Sequence, residues 1–196
     1  MRTQRRGTAA FAVCGSFCTL GTAAAAAEQL VRQGWDLLPV MSFAAAGLNT
    51  RFGRAEEWRR RLAEITGNPV LDTLQAVEPL GPRHLAQALV IAPCTGATLA
   101  RLAAGLSDTP VTLAAKSLLR VGCPVVAAVS TNDGLAASGE NIARLLQRKH
   151  YFFVPFGQDD PVQKPQSLKA DFQLLPAALE QALQGRQLQP LLRQFN

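Results

Sequence analysis

Three short stretches of this sequence place small residues with hydroxyl and amide groups directly after apolar runs. The first is Val13-Cys14-Gly15-Ser16-Phe17-Cys18-Thr19, where an apolar segment ends in Gly-Ser and passes straight into a helical pattern. Free amides at a helix start, a small hydroxyl and a glycine that admits close approach make a cradle for phosphate oxygens. Gly15 and Gly21 do not complete the Gly-x-Gly-x-x-Gly dinucleotide fingerprint. The plainer alternative is a strand-to-helix turn capped by Ser16.

The second stretch is Ile91-Ala92-Pro93-Cys94-Thr95-Gly96-Ala97-Thr98. An apolar run stops at Pro93, and Thr95, Gly96, Ala97 and Thr98 leave room for a flat ring beside them. The alternative is a tight turn that caps the next helix through Thr98. The third, Val129-Ser130-Thr131-Asn132-Asp133-Gly134-Leu135, repeats the pattern. In open α/β sheets ligands bind beyond the carboxyl ends of the strands, so the three ends are expected to converge on one pocket.

Other reactive residue types offer less. His84 and His150, the only histidines, sit at element boundaries and read as structural. Glu78, Asp159 and Asp160 read as solvated loop acids, with Asp133 set apart by its place in the third stretch. Cys14, Cys18, Cys94 and Cys123 form no Cys-x-x-Cys pair, so no metal site is expected and reduced thiols are. Cys94 has no histidine nearby in sequence to activate it as a nucleophile. Arg51, Lys116 and Arg120 are candidate partners for substrate carboxylates, with solvated surface cations as the alternative.

The elements that must position these residues alternate between apolar, β-branched runs and helical patterns, the signature of βαβ units. Strands are expected over 9–14, 35–41, 88–92, 124–129 and 151–154. Helices are expected over 19–33, 54–65, 98–104, 111–119, 138–149 and 171–183. A polar loop through Thr50 follows the second strand, and a Pro- and Gln-rich loop spans 155–165. The fold class is α/β: a single Rossmann-like, flavodoxin-like three-layer domain over 1–196 with a mostly parallel sheet. Residues 1–7 are expected to be a flexible N-terminus and 186–196 a C-terminal tail.

Composition narrows the function. The 196 residues are 48% hydrophobic, enough for a full core. A net charge of +6 arises from scattered Lys and Arg, and aromatics make up only 6%, so neither a basic run nor a base-stacking platform is present. No nucleic-acid partner is expected. Arg5-Arg6 before an Ala-rich stretch imitates an export signal, but Gly15, Ser16, Thr19, Gly21 and Thr22 interrupt it. It also continues into a helical Glu28-Gln29-Leu30-Val31-Arg32. The stretch is therefore expected in the mature fold, with no membrane span and a cytoplasmic location.

The strings IAPCTGATLARLA, SDTPVTLAAKSLLR, AVSTNDGL and YFFVPFGQDDPVQKPQSLKADF, with LPVMSF, NTRFG and EPLGP before them, carry a resemblance over almost the whole chain. They resemble the B subunits of dipicolinate synthases, one branch of the homo-oligomeric flavin-containing cysteine decarboxylases. The most specific part is Phe156-Gly157-Gln158-Asp159-Asp160-Pro161 with Lys164-Pro165.

The resemblance implies FMN bound in a Rossmann-like fold, often across a subunit interface. It implies phosphate contacts at Gly15 and Ser16, a cofactor contact at Phe17, and a flavin contact at Ser42. Ring and phosphate contacts would run along Pro93, Thr95, Gly96, Ala97 and Thr98. Ser130, Thr131 and Asn132 would lie beside the isoalloxazine, with Asn132 as the catalytic candidate. It further implies a homo-oligomer working with a dipicolinate synthase A subunit that carries NADP or NAD. That pair would oxidise a small dicarboxylate, a dihydro- or tetrahydrodipicolinate precursor, to dipicolinate in the mother-cell cytoplasm of a spore-forming bacterium.

Three positions depart from the wider family. Ala97 stands where an Asn precedes the Thr of the flavin motif, Ala76 stands where the decarboxylases carry their histidine, and a Pro-x-Met-Asn pattern keeps only Asn132. The alternatives are a flavin-dependent decarboxylase or prenyltransferase acting alone, and a non-catalytic stabilising subunit.

Overall fold

The computed structural model describes residues 6–193. Strands β1 (Gly7–Val13), β2 (Trp35–Met41), β3 (Leu89–Cys94), β4 (Val125–Thr131) and β5 (Tyr151–Phe153) run parallel in the order β2-β1-β3-β4-β5. The chain moves outward from β1 to β2 and then returns past β1 to β3, so the strand order reverses between β1 and β3. A crevice opens at such a reversal. Every residue of β3 is buried, and so is all of β4 except Thr131. Strands covered on both faces read as unbroken apolar runs, which is how these two appear in the sequence.

Helices cover the sheet. A 3-10 turn over Phe17–Thr19 leads from β1 into α1 (Leu20–Arg32), whose buried Ala23, Ala24, Ala26 and Ala27 let the helix lie close to the strands. The sequence-based polar loop after β2 instead begins with a short helix, α2 (Phe43–Gly47). Its cap is the Ser42 hydroxyl, which accepts from the Ala45 amide at 3.2 Å. α3 (Ala55–Thr66) ends at Gly67, whose φ of +69° is the left-handed turn that stops a helix. α4 (Leu74–Val77), absent from the sequence reading, is one turn capped by Thr73. α5 (Gly96–Ala104) and α6 (Pro110–Leu119) follow β3, α7 (Ala137–Leu146) follows β4, and α8 (Leu175–Leu183) closes the chain. The buried apolar residues of all these elements form one continuous core.

The largest departure lies at 155–165. In place of a loop, β6 (Phe156–Asp160) and β7 (Lys164–Ala170) form an antiparallel hairpin. The first half of β4 pairs with β5, while its last residues, Ser130 and Thr131, pair antiparallel with Lys169 and Leu168 of β7. The hairpin therefore stands above the carboxyl end of the sheet. Its polar sequence hides it, because the first three residues of β7 are exposed and Pro165 sits where no β4 partner needs its missing amide.

Both ends of the described chain are anchored. Gly7 belongs to β1 and the Arg6 amide bonds Gly34 O at 3.0 Å, so the flexible segment expected over 1–7 does not extend to these two residues; 1–5 lie outside the described residues. In the tail, the Gln187 side chain accepts from the Phe153 amide at 2.8 Å and donates to its carbonyl at 2.7 Å. Phe156 bonds Leu191 O and accepts from the Arg193 amide.

Candidate functional site

The three stretches singled out by residue type meet at the carboxyl edge of the sheet. The β1 end brings Gly15 and Ser16, the β3 end brings Thr95, and the β4 end brings Ser130, Thr131 and Asn132 into the lining of one cavity of about 590 Å³. Phe17, Cys18 and Thr19 add the first turn leading to α1, and Arg51 with Phe52 comes from the loop before α3. A second cavity of about 450 Å³ shares Gly15 and Thr95 and continues past Ser42, Phe43, Ala97 and Thr98. The two adjoin along the β1–β3 crevice.

Ser16 is the residue whose alternative reading can be decided. It occupies the N-cap position, yet its side chain makes no capping bond. Its hydroxyl lies 2.8 Å from the Ser130 hydroxyl across 114 residues of sequence, and Thr19 Oγ1 stands 3.1 Å from Ser16 Oγ and 3.2 Å from Ser130 Oγ. Three hydroxyls from two strand ends thus cluster beside the first-turn amides of Phe17 and Cys18, while the Ser16 and Thr19 amides bond Cys14 O and Ser16 O. Gly15 keeps the approach narrow: a Cβ there would come 3.3 Å from Ala44 Cβ.

At the β3 end the cap is Thr95, not Thr98. Thr95 Oγ1 accepts from the Thr98 amide at 3.3 Å, and Thr98 Oγ1 donates to Cys14 Sγ at 3.3 Å. The Ala92–Pro93 peptide bond is cis, and the register between β3 and β4 shifts between Ile91 and Cys94. Gly96 is required by crowding: a Cβ there would meet Ser138 Oγ at 2.4 Å and the Asp133 and Thr131 side chains at 2.8 Å. The Thr131 hydroxyl donates to Asp133, and that bond, helped by Ser138 against the cost of burial, holds the Asp133 carboxyl below its ordinary range. Asp133 therefore braces the β4 loop. Asn132 lines the cavity, exposed, with no side-chain hydrogen bond among the described residues.

The thiols are quiet. Burial pushes Cys14 up to about 11 despite the Thr98 hydroxyl, and it raises Cys94 as well, with the neighbouring Cys14 adding to the effect. Neither is a thiolate near neutral pH. Among the described residues no group of three or more His, Cys, Asp or Glu side chains could hold a metal ion.

The cations divide. Arg51 lines the larger cavity, with its guanidinium 4.8 Å from the centre of the Phe52 ring. Lys116 and Arg120 do not line it. Both are exposed on α6 and its C-cap; Lys116 donates to Ser107 at 3.4 Å and borders a separate hollow of about 250 Å³. In their place the hairpin supplies Lys164 and Lys169, with Asp159 and Ser167. A sequence reading that takes the hairpin for a loop passes over both lysines. Neither lysine carries a local signal, because the polar hairpin shows no apolar alternation.

A flavin mononucleotide fits this donor set. The hydroxyl cluster and first-turn amides suit a phosphate, and Phe17, Phe43, Thr95, Ala97 and Thr98 suit a flat ring. The side chain at position 97 offers such a ligand only a methyl group, and the Ala97 carbonyl accepts from Arg101 at 3.3 Å.

Comparison with known proteins points the same way. The chain is 43% identical over 182 residues to the B subunit of dipicolinate synthase from Bacillus subtilis (strain 168), covering 93% of this chain and 91% of that one. The crystal structure of the corresponding B subunit from Bacillus halodurans C superposes with a TM-score of 0.89 at 39% identity, over 97% of each chain. The FMN-dependent cysteine decarboxylase SpaF superposes with a TM-score of 0.68 at 25% identity, over 92% of this chain and 98% of that one. The sequence model described as Flavoprotein matches residues 2–166, most of the chain, and the chain belongs to that family.

Proposed function

We propose that this chain is the flavin-bearing B-type component of a dipicolinate synthase. With a nicotinamide-binding A subunit, it oxidises a dihydro- or tetrahydrodipicolinate precursor to dipicolinate in a sporulating cell. The observation that carries the reading is the joint cavity at three strand ends, hydroxyl-rich and cationic, in a chain similar to dipicolinate synthase B subunits over nearly its whole length. When bound, FMN supplies the capacity to accept and pass on a hydride.

The chain's own residues divide the remaining work. Gly15, Ser16, Thr19 and Ser130 would hold the phosphate, with the first-turn amides alongside. Ser42, Thr95, Ala97 and Thr98 would line the ring's trough, whereas Pro93 and Gly96 line neither cavity. Thr131 and Asn132 face the substrate side, where the Asn132 amide donates to or accepts from the reacting heterocycle. The cations of the cavity bind carboxylates. Phe17 and Leu168 line the larger cavity and would exclude water from a ligand bound there.

Decarboxylation fits less well. Ala76 lies on the single turn of α4 with a methyl side chain that can neither take nor give a proton, and the buried thiols are protonated. A purely stabilising role leaves the exposed Asn132 and the uncapped Ser16 hydroxyl without a task.

Mixing the purified chain with its A subunit, reduced precursor and NADP tests the reading. Dipicolinate should form at a rate that depends on added FMN and on both subunits. Full activity from the A subunit alone would contradict it.

A further inference from the structure

The larger cavity holds three cations, Arg51, Lys164 and Lys169, against one acid, Asp159, leaving two positive charges uncompensated. Asp159 engages both lysines: its carboxylate lies 3.1 Å from Lys164 Nζ and 3.6 Å from Lys169 Nζ. Burial alone would raise Asp159, but the two lysines pull it below the ordinary carboxylate range, and Lys164 is raised in return. The grouping is held by backbone pairing. Lys169 sits opposite Ser130 in the β4–β7 ladder, and Ser167 Oγ donates to Thr131 O at 3.3 Å. Residues directly opposite in an antiparallel pair project to the same face, which puts Lys169 on the Ser130 side of the sheet.

We propose that Arg51, Lys164 and Lys169 form a dicarboxylate subsite, and that Asp159 is a built-in carboxylate that occupies the two lysines until substrate arrives. The inference rests on the proposed reading that a pyridine dicarboxylate precursor is the substrate. A ligand with two carboxylates matches the uncompensated charge, and one with a single carboxylate leaves a cation unpaired, so the subsite selects for the diacid. An anchored internal acid also keeps the lysines oriented and off the neighbouring hydroxyl cluster. The same cations could instead serve the cofactor phosphate, a source of the same charge that the experiment separates.

The test is calorimetric titration of the purified chain with dipicolinate, with the monoacid picolinate, and separately with FMN. Arg51→Gln, Lys164→Gln and Lys169→Gln should each weaken dipicolinate binding by about tenfold, shrink its advantage over picolinate, and leave FMN affinity within about twofold. Asp159→Asn should tighten dipicolinate binding several-fold, because the competing carboxylate is gone. Thermal melts of each variant report folding. Loss of FMN affinity with dipicolinate binding retained would reassign the cations to the phosphate and overturn the proposal. Wild-type binding of dipicolinate that none of the four substitutions alters overturns the subsite while leaving the proposed function standing. A wild-type chain that binds neither dipicolinate nor FMN overturns both.

Discussion

The Ser16 hydroxyl is withheld from the helix cap that its position invites and turned toward Ser130, so two strand ends share one polar cluster. Residue type and spacing mark Ser16, Ser130 and Thr95 in the sequence, because each places a hydroxyl close after an apolar run. They do not show which hydroxyl caps a helix and which faces a ligand, since that depends on a partner 114 residues away. The cysteines permit a direct check at this scale. Alkylation of the native protein followed by mass spectrometry should label the exposed Cys18 and leave the buried Cys14 and Cys94 unmodified until denaturant is added. Asp133 permits another. Its folded-state carboxyl titrates below the unfolded value of about 3.9, so its contribution to stability is present above that value and lost as pH falls through the folded one. Urea melts across the acid range should show a stability decline that Asp133→Asn makes shallower.

At the scale of elements, the close fit of α5 beneath the β4 loop makes a prediction that runs against helix propensity. Alanine is the better helix former, yet Gly96→Ala should destabilise the protein by about 1–3 kcal/mol, because its methyl group meets Ser138, Asp133 and Thr131. Denaturant unfolding measures it. The C-terminal segment makes another: Gln187→Ala removes both side-chain bonds to the Phe153 backbone and should cost about 1–3 kcal/mol, with faster amide exchange in β5. The parallel strands are legible because β3 and β4 are buried on both faces and β1 and β2 nearly so. Their expected bounds lie within two residues of those observed, and β2 agrees at both ends. The β6–β7 hairpin is not legible, because an exposed hairpin over a polar cavity has no apolar alternation to display. The one-turn helices α2 and α4 exist through their Ser42 and Thr73 caps, a local signal too short to give a period. Without the hairpin, Lys164 and Lys169 stay hidden as well, so half of the cavity's charge escapes the sequence, while Lys116 and Arg120 stand in for it on a distant helix.

At the scale of the whole molecule, the site lies open on one side and is rimmed by apolar side chains. Phe43, Leu48 and Phe52, on α2 and the loop beyond it, are 51%, 53% and 40% exposed, and Phe43 and Phe52 belong to the two cavities. The resemblance implies a homo-oligomer with its cofactor site across a subunit interface, and this rim is the surface that such an interface would use. Light scattering coupled to size exclusion should then report a multiple of the 21.0 kDa chain mass. Phe43→Asp with Leu48→Asp should lower that multiple and weaken flavin binding in parallel. All these assignments depend on the joint cavity being a flavin site. The most direct measurement is an equilibrium titration of FMN by fluorescence quenching against the wild-type chain and Ser16→Glu, which places a carboxylate in the hydroxyl cluster. A flavin site there requires saturable binding of one FMN per chain, weakened by Ser16→Glu at least about a hundredfold in a variant that still melts cooperatively, a loss of about 2.7 kcal/mol or more. Wild-type protein that leaves FMN fluorescence unchanged, or binding that Ser16→Glu does not weaken, would contradict it.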